Sequence, residues 1–475
     1  MKLTRYLGDK PFWQTTVRLA LPIAIQNMLT SSFQLVDTMM VSQLGDEALS
    51  AVGMAGQWGW LALLLGFGIC SGMSVFVSQY WGIRDLKGIR RVLGIGLISC
   101  LILTAVFAAV ALAAPEFVLR LFNRNEAVVK LGRDYLIIAC FSYPAVALTN
   151  IMSTVLRNTE RVKLPMYVSF LTTIVNALAN YALIFGKFGL PQMGVQGAAL
   201  ATCISAWMGP ILLVLFSLWE KNLLTGPVRE LFAFGKENLR AFFQRALPVV
   251  ANEGMWALGI LILNMIYSNM GYEYYAGMTI FKTFADLAFA FYVGLGNACV
   301  IMVGKSVGQG FIRDAVRDAA RFTVLTSLAG VVVGGTIILL HPRLISLFAA
   351  GETLSEITLQ TAAAVTVFCS LEVVLRNIPY VQVVGVFRSG GDTFRGMLYD
   401  LGSLWVVGIP CALLAAHVFH LPFLAVVMAA YLGEDIPKCI LCLRHFHSRK
   451  WLKPVTREGQ EGVREYLASE GKKWQ

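Results

Sequence analysis

The sequence predicts an all-α polytopic membrane protein, and three observations lead to this fold class. Hydrophobic residues make up 57% of the 475-residue chain and charged residues only 14%, whereas a soluble domain carries about 25% charged residues. Apolar runs of about 20 residues, each long enough to cross a bilayer as a helix, recur along the whole chain. The chain also repeats itself, which predicts two pseudo-symmetric lobes of six helices each.

Twelve transmembrane helices are predicted from the lengths of the apolar runs and the charges that flank them. An open chain can satisfy its backbone polar groups inside lipid only as helices, so none of the runs is assigned to a strand. The predicted spans are 15–41, 50–81, 92–114, 132–156, 164–186, 195–219, 246–270, 276–304, 322–341, 358–387, 397–417 and 422–443.

The repeat holds one register over three spans and their loops. A shift of 226 residues superimposes pairs of like residues: Pro22 and Pro248, Gly45 and Gly271, Glu47 and Glu273, Gly68 and Gly294, Arg91 and Arg317. Two halves that enter the membrane in the same sense should be related by an axis along the membrane normal, with a cavity between them. The sequence therefore predicts an N-terminal lobe at 1–219, a cytoplasmic linker at 220–240, a C-terminal lobe at 241–445 and a cytoplasmic tail at 446–475.

Basic residues set the predicted orientation. Lysine and arginine are concentrated at both ends and in alternate loops, which places both termini in the cytoplasm and the protein in the plasma or inner membrane. The same bias accounts for the formal net charge of +11. Because the sequence has no nucleic-acid-reading motif and no long basic arm, we expect the lipid bilayer and small molecules as partners, no nucleic acid, and a monomer.

The first span carries the ionisable residue of greatest interest. Asp37 is the single acid near the far end of an apolar run that begins around Pro22. An ionised carboxylate in hydrocarbon costs several kcal/mol, so we expect Asp37 to face protein or a water-filled cavity. Proline frees a backbone carbonyl and permits a bend in such a helix. The alternative is that Asp37 simply lies at the membrane edge.

Other signals exclude several classes of protein. The sequence has no phosphate-binding GxxxxGK[ST] loop, no HExxH motif and no comparable catalytic cluster, so we expect neither an enzyme nor a bound cofactor.

Glycines such as Gly68 and Gly294 lie in apolar helices and indicate close helix packing. The segment Cys439–His447 resembles a metal site, but it straddles a span end, and zinc ligands usually converge from separate elements.

Several motifs in order resemble one family. LPIAIQNMLTSSFQLVDTMMVSQLGDEALSAVG and GVQGAALATCIS are similar to segments of the multidrug and toxic compound extrusion (MATE) transporters, and LRNTERVKLPMY and VGVFRSGGDTFRG resemble the family's paired loops. The resemblance covers nearly the whole chain. It implies an efflux antiporter that expels amphipathic, often cationic compounds by alternating access, driven by inward proton or sodium flow.

The resemblance also implies an ion site in the N-terminal half. The matching positions are Asp37, Asn176, Asn180 and Thr202, with sodium possible at Asp37. Asn176 and Asn180 are four residues apart and share one helix face. Some family members have an acid where Asn180 stands, so here Asp37 is the one carboxylate of the site.

The C-terminal half departs further from the family. Pro379 and Tyr380 stand where some members carry an acid before VQVV. The second half nevertheless has charges in or beside its predicted spans, which we assign to substrate or proton binding: Glu253, Lys282, Asp286, Glu372, Arg376 and Asp400.

The spacing of these charges leaves two interpretations open. Lys282 and Asp286 are four residues apart, as are Glu372 and Arg376, so each pair can meet on one helix face. In the alternative interpretation, each pair serves only to hold helices together. Glu253 is expected either to pair with Lys282 across helices or to carry a proton. Asp400 lies close to a span end, where the alternative is simple solvation.

The sequence leaves two rivals to the efflux antiporter open. A lipid-linked saccharide flippase of related architecture would need a larger, strongly basic cavity to hold pyrophosphate, and the acids argue against it. A non-transporting membrane receptor would bind ligand without flux driven by an ion gradient.

Overall fold

The structure is a computed structural model that describes residues 8–122, 125–349 and 355–471. Helices form its regular architecture. In chain order they are α1 Lys10–Ser42, α2 Asp46–Gly82, α3 Leu86–Ala113, α4 Pro115–Arg120, α5 Glu126–Ala139, α6 Ser142–Asn158, α7 Lys163–Phe185, α8 Gly194–Glu220, α9 Val228–Leu231, α10 Lys236–Asn269, α11 Tyr272–Gly308, α12 Ile312–Ala349, α13 Glu356–Gly390, α14 Thr393–Val418, α15 Phe423–Ser448 and α16 Arg457–Ser469.

The predicted fold class is confirmed, with differences at two spans. Among the described residues, 10 helices are long and apolar enough to cross a membrane, or 11 when α5 and α6 count as one span bent by 48°. The predicted fourth span, 132–156, is therefore broken in its middle. The predicted twelfth span is the helix α15, but Glu434, Asp435 and Lys438 keep it out of the apolar set.

The 226-residue register of the sequence reappears in the helices. α2 and α11 each contain 37 residues, and their first residues are Asp46 and Tyr272. The glycines before them, Gly45 and Gly271, have φ angles of 102° and 145°, a region that favours glycine. The helices on either side, α1 with α10 and α3 with α12, also begin one register apart. The repeat read from single residues is thus a repeat of whole helices.

The described chain divides into two compact units. One contains the residues up to Ala24 together with those from Ala251 onward, and the other contains Ile25–Val250. The chain changes unit inside α1 and inside α10, two residues after Pro22 and Pro248 respectively. This differs from the predicted lobe boundaries, because the first part of each of these helices packs with the opposite half of the sequence.

Glycines allow the first parts of α1 and α10 to pack closely against helices of the opposite half of the sequence. In the unit Ile25–Val250, a Cβ atom on Gly68 would lie 2.7 Å from the Cα atom of Val250. In the other unit, a Cβ atom on Gly294 would lie 2.7 Å from the carbonyl oxygen of Ala20. Real side chains do not approach backbone so closely, so the helices can meet here only at glycine. The predicted role of both glycines in close helix packing is confirmed.

The predicted tail, 446–475, is folded onto its own unit over its described residues. Trp451 is fully buried and stacks on Phe446, with ring centroids 6.0 Å apart. Thr456 Oγ1 donates a hydrogen bond of 2.8 Å to the carbonyl oxygen of Gly308 at the end of α11. The described residues of this segment therefore form part of the helical unit, although their composition is polar and basic.

A buried carboxylate ties the folded tail to the loop between α13 and α14. Asp392 is 1% exposed and accepts hydrogen bonds from His445 Nε2 at 3.0 Å and Lys453 Nζ at 2.9 Å. Burial alone raises the pKa of this carboxyl, but the hydrogen bonds from His445 and Lys453 and the nearby charges outweigh burial, so the pKa lies below its usual value.

Replacing Asp392 should destabilise the protein in a pH-dependent way. Because the folded pKa is lowered, the carboxylate stabilises the fold above the unfolded pKa near 3.8, and this contribution is lost as pH falls through the folded pKa. We expect Asp392→Asn to cost about 3 kcal/mol at neutral pH, and the difference from wild type to shrink in acid. Thermal unfolding of the purified protein in detergent, followed at stepped pH values, measures both effects.

Lys453→Gln is the control for this experiment. The Lys453 side chain is 49% exposed, and exposed ion pairs contribute roughly 1 kcal/mol or less. Equal losses of stability in the two variants, or a loss of stability in Asp392→Asn that is independent of pH, would contradict this role of Asp392 in joining the tail to the loop between α13 and α14.

Candidate functional site

The predicted ion-site residues of the first half come together around Asp37. Asp37 lies half-buried in α1, and Asn180 Nδ2 of α7 donates a hydrogen bond of 2.7 Å to its Oδ1. In the amide orientation that satisfies both of its polar groups, Asn176 Nδ2 donates to both Asp37 oxygens at 2.9 Å, and its Oδ1 accepts from Ser205 Oγ at 3.1 Å. Two amides one helical turn apart therefore hold the carboxylate.

Two further residues complete this cluster, and sequence reasoning missed both. Tyr135 of α5 lies beside Thr202 of α8 and near Asp37. Ser205, one turn beyond Thr202, holds the amide of Asn176. Thr202 itself donates to the carbonyl oxygen of Ala198 at 3.0 Å and lies beside Tyr135 in this cluster.

The arrangement can switch with the charge of Asp37. Amide N–H groups stabilise an ionised carboxylate, and a proton on Asp37 would weaken both contacts. Asn180 Oδ1 is buried and, among the described residues, no donor reaches it. Hard cations take oxygen ligands, so the carboxylate and this amide oxygen also fit a sodium ion if the Asn180 amide turns.

Glu253 in α10 forms a buried ion pair with Arg388 at the end of α13. Arg388 Nη2 donates to Glu253 Oε1 at 2.8 Å, and the two side chains are 4% and 13% exposed, in that order. The predicted pairing of Glu253 with Lys282 is therefore wrong. Lys282 Nζ instead donates to Asn264 Oδ1 at 2.5 Å, because α10 brings this amide oxygen within its reach.

The two predicted helix-face pairs behave differently. Lys282 and Asp286 do not form a salt bridge, since Lys282 is turned toward Asn264 and Asp286 is exposed. Glu372 and Arg376 do pair, with Oε2 and Nε 3.6 Å apart. The i,i+4 spacing made both contacts possible, and the surrounding helices decided which one formed.

The pair of Glu372 and Arg376 belongs to a cluster that includes α15. Arg376 Nε and Nη2 donate to Asp435 Oδ2 at 3.0 and 2.8 Å. The guanidinium also lies over the ring of Tyr431, with Cζ 4.2 Å from the ring centroid.

Asp400 is not solvated, contrary to one of the sequence interpretations. It is 8% exposed, accepts a hydrogen bond of 2.8 Å from Asn252 Nδ2 and forms an ion pair with Lys438. Lys438 Nζ also lies 3.3 Å from Glu434 Oε1. Asp400 is buried because α10 and α15 cover it, which the apolarity of its own span does not reveal.

The signal for the missed charges of α15 was present in the sequence. Glu434, Asp435 and Lys438 fall inside the predicted span 422–443, where ionisable residues are rare and usually pair. The i,i+4 spacing of Glu434 and Lys438 favours the contact that they make.

Comparison with known proteins settles the family. The family model described as MatE matches residues 22–182 and 248–414, two blocks that begin one repeat apart. The chain belongs to the MatE family. The resemblance stated from the motifs is thereby confirmed.

Relatives agree with this assignment over nearly full length. The chain is 27% identical over 447 residues to the probable multidrug resistance protein NorM of Thermotoga maritima, covering 93% of this chain and 94% of the relative. It is 25% identical over 398 residues to the multidrug resistance protein NorM of Vibrio cholerae, covering 83% and 85%. This MATE chain is a multi-pass membrane transporter and not an enzyme, as expected from the sequence.

Solved structures show the same fold. A MATE protein crystallised in the bent conformation superimposes with a TM-score of 0.82 at 18% identity, covering 98% of both chains. A MOP superfamily transporter from Pyrococcus furiosus gives a TM-score of 0.82 at 20% identity, covering 94% of this chain and 97% of the other.

The Glu253–Arg388 pair should be energetically coupled. Removing one partner of a buried ion pair costs about 3–5 kcal/mol, because the other charge is left uncompensated. We expect this loss for Glu253→Ala and for Arg388→Ala, with the double variant less destabilised than the sum by about 1–3 kcal/mol. Thermal unfolding of wild type, the two single variants and the double variant in detergent completes this double-mutant cycle. Additive losses would show that the two residues act independently.

Proposed function

We propose that this protein is a secondary active multidrug efflux antiporter that exports amphipathic or cationic compounds in exchange for protons or sodium by alternating access. The observation that carries the proposal is the Asp37 cluster. A single half-buried carboxylate, held among the described residues by amide donors, can take up one proton or one cation within a transporter of this family. The multidrug resistance names of the relatives support the substrate class.

The coupling mechanism follows from the charge of Asp37. When the carboxylate is ionised, the amides of Asn176 and Asn180 fix α1 against α7. A proton or sodium ion at Asp37 changes those contacts and allows the Pro22-containing helix to repack. Ion occupancy then biases the equilibrium between conformational states, because each state offers Asp37 a different set of contacts.

The charges of the second half enter this mechanism as proposals for substrate or proton binding. Glu253 is engaged by Arg388, so a cationic substrate would have to displace the guanidinium to reach it. Lys282 and Asp286 are not paired with each other, and the exposed Asp286 is the better candidate for contact with a substrate cation. We further propose a monomer in the plasma or inner membrane with both termini cytoplasmic, from the lysine and arginine bias.

Dye efflux from proteoliposomes tests the proposal. Proton and sodium gradients are imposed separately on vesicles that contain wild type, Asp37→Asn or Asp46→Asn. We expect one gradient to drive efflux of ethidium, and Asp37→Asn to lower the driven rate by about tenfold or more, equivalent to at least about 1.4 kcal/mol. Asp46 is an exposed acid at the start of α2, so Asp46→Asn is the matched control and should retain wild-type flux.

Other outcomes select the rival functions. Dye binding without gradient-driven flux would identify a receptor. Absence of dye flux together with translocation of a lipid-linked pyrophosphate saccharide would identify a flippase. Normal driven flux in a folded Asp37→Asn protein would keep the transporter and remove Asp37 from its coupling step.

A further inference from the structure

Two buried carboxyl groups of the second half lie against the same arginine, Arg376. Glu372 lies in α13 and Asp435 in α15, with side chains 2% and 1% exposed. Both contact the same guanidinium: Arg376 Nε lies 3.6 Å from Glu372 Oε2, and Arg376 Nη2 lies 2.8 Å from Asp435 Oδ2. Carboxylates are acceptors only, so two ionised groups in this position would repel.

The donors around the pair leave one oxygen of each group unsatisfied. Both Arg376 hydrogen bonds go to Asp435 Oδ2, and Arg376 is farther from Glu372, at 3.6 Å. Among the described residues, no donor reaches Glu372 Oε1 or Asp435 Oδ1, although both atoms are buried. A single proton placed between the two carboxyl groups would supply the missing donor.

The charge balance of the surroundings requires the same proton. The charged groups around the pair are Arg376 from α13 and Glu434 and Lys438 from α15, and Asp400 from α14 joins them through its ion pair with Lys438. Together with Glu372 and Asp435 this makes four acids against two cations. The remaining titratable neighbours, Tyr267, Tyr431 and Cys369, are neutral in their ordinary forms and supply no compensating positive charge. An uncompensated buried charge costs several kcal/mol.

Within this cluster the two cations are not shared equally. Lys438 pairs with Asp400 and Glu434, and Asn252 gives Asp400 an additional donor. Arg376 pairs chiefly with Asp435. Glu372 is thus the carboxyl group with the weakest compensation and the natural holder of the proton.

We propose that Glu372 and Asp435 form a proton-binding site, in which Glu372 carries one proton and donates it in a hydrogen bond to Asp435. This site lies in the unit that does not contain Asp37. The inference deepens the proposed antiport function and rests on it, because it adds a second site at which a coupling proton can bind.

The proton also joins two helices. With the proton present, α13 and α15 are linked by a carboxyl–carboxylate hydrogen bond; without it, the two negative groups repel. Glu372 lies two helical turns before Pro379, which precedes a π-helical segment at Val381–Phe387. Such segments often mark functional sites in helices. Release of the proton therefore loosens α13 beside a stretch of irregular backbone.

Infrared spectroscopy of the purified protein tests the site without any transport assay. We expect wild type at neutral pH to show the carbonyl-stretch band of a buried protonated carboxyl group, and Glu372→Gln to lack it. Asp435→Asn should also lack it, because Glu372 then becomes the counter-ion of Arg376 and ionises. Glu356→Gln, the same change at an exposed position of the same helix, should retain the band.

Folding of the key variant can be checked directly. Glutamine is neutral and keeps a donor toward Asp435, so Glu372→Gln should unfold at nearly the temperature of wild type. Absence of the band from wild type, or its persistence in Glu372→Gln, would overturn the proposal. Saturable thermal stabilisation of wild type by sodium, without the band, would assign a cation to the site in place of the proton.

The coupling role is tested separately in proteoliposomes. Glu372→Gln should lose proton-driven efflux down to the level seen without a gradient. Wild-type proton-driven efflux in this variant would overturn the coupling role even if the infrared band is present. If wild type itself shows no driven efflux, the proposed antiport function fails, while the infrared result still decides whether the pair holds a proton.

Discussion

A carboxylate buried among apolar helices must be compensated, and this protein compensates its buried acids in two ways. In the unit Ile25–Val250, Asp37 is held by the neutral amides of Asn176 and Asn180. In the other unit, Glu253, Asp400 and Asp435 are paired with cations. Amides leave the net charge of Asp37 in place, so a proton or cation can neutralise it. A guanidinium already neutralises its partner and mainly fixes the helices that it joins.

The repeat supplies the same frame to both halves, but the chemistry differs between them. The counterpart of Asp37 in the 226-residue register is Leu263, which is 4% exposed in an apolar core cluster. The counterpart of Glu253 is Asn27. The prolines and the glycines of close helix packing occupy equivalent positions in both halves, whereas these ionisable groups do not. The shared residues are those that shape the helices, and the unshared residues include those that we propose to bind ions or substrate.

Much of the fold could be predicted from the sequence because membrane spans are local features. Run length predicted the helices, and the register of Pro22 with Pro248 predicted the paired helices α1 and α10. The break between α5 and α6 was missed because the apolar run continues across it, although Pro144, the third residue of α6, marks a place where a helix can bend. Likewise, nothing local in the sequence shows that the first part of α1 packs with the second half of the chain.

Residues of the candidate sites could likewise be assigned where the signal is local, and not where it depends on helix packing. Asn176 and Asn180 could be assigned because the family resemblance pointed to these positions, and their spacing places both on one helix face. The partner of Glu253 could not be assigned, since Arg388 is 135 residues away and only the packing of α10 against α13 brings it near. Asp400 was misjudged for the same reason: its burial depends on Asn252 and Lys438 from two other helices.

The acids of the second half also differ among themselves in how completely they are compensated. Arg388 lies 2.8 Å from Glu253, while Arg376 lies 3.6 Å from Glu372 and donates chiefly to Asp435. A carboxyl group that shares its cation with a second acid is the one that gains most from a proton. The same guanidinium that fixes Asp435 thereby leaves Glu372 as the exchangeable member of the pair, and a cluster that holds helices together can also respond to pH.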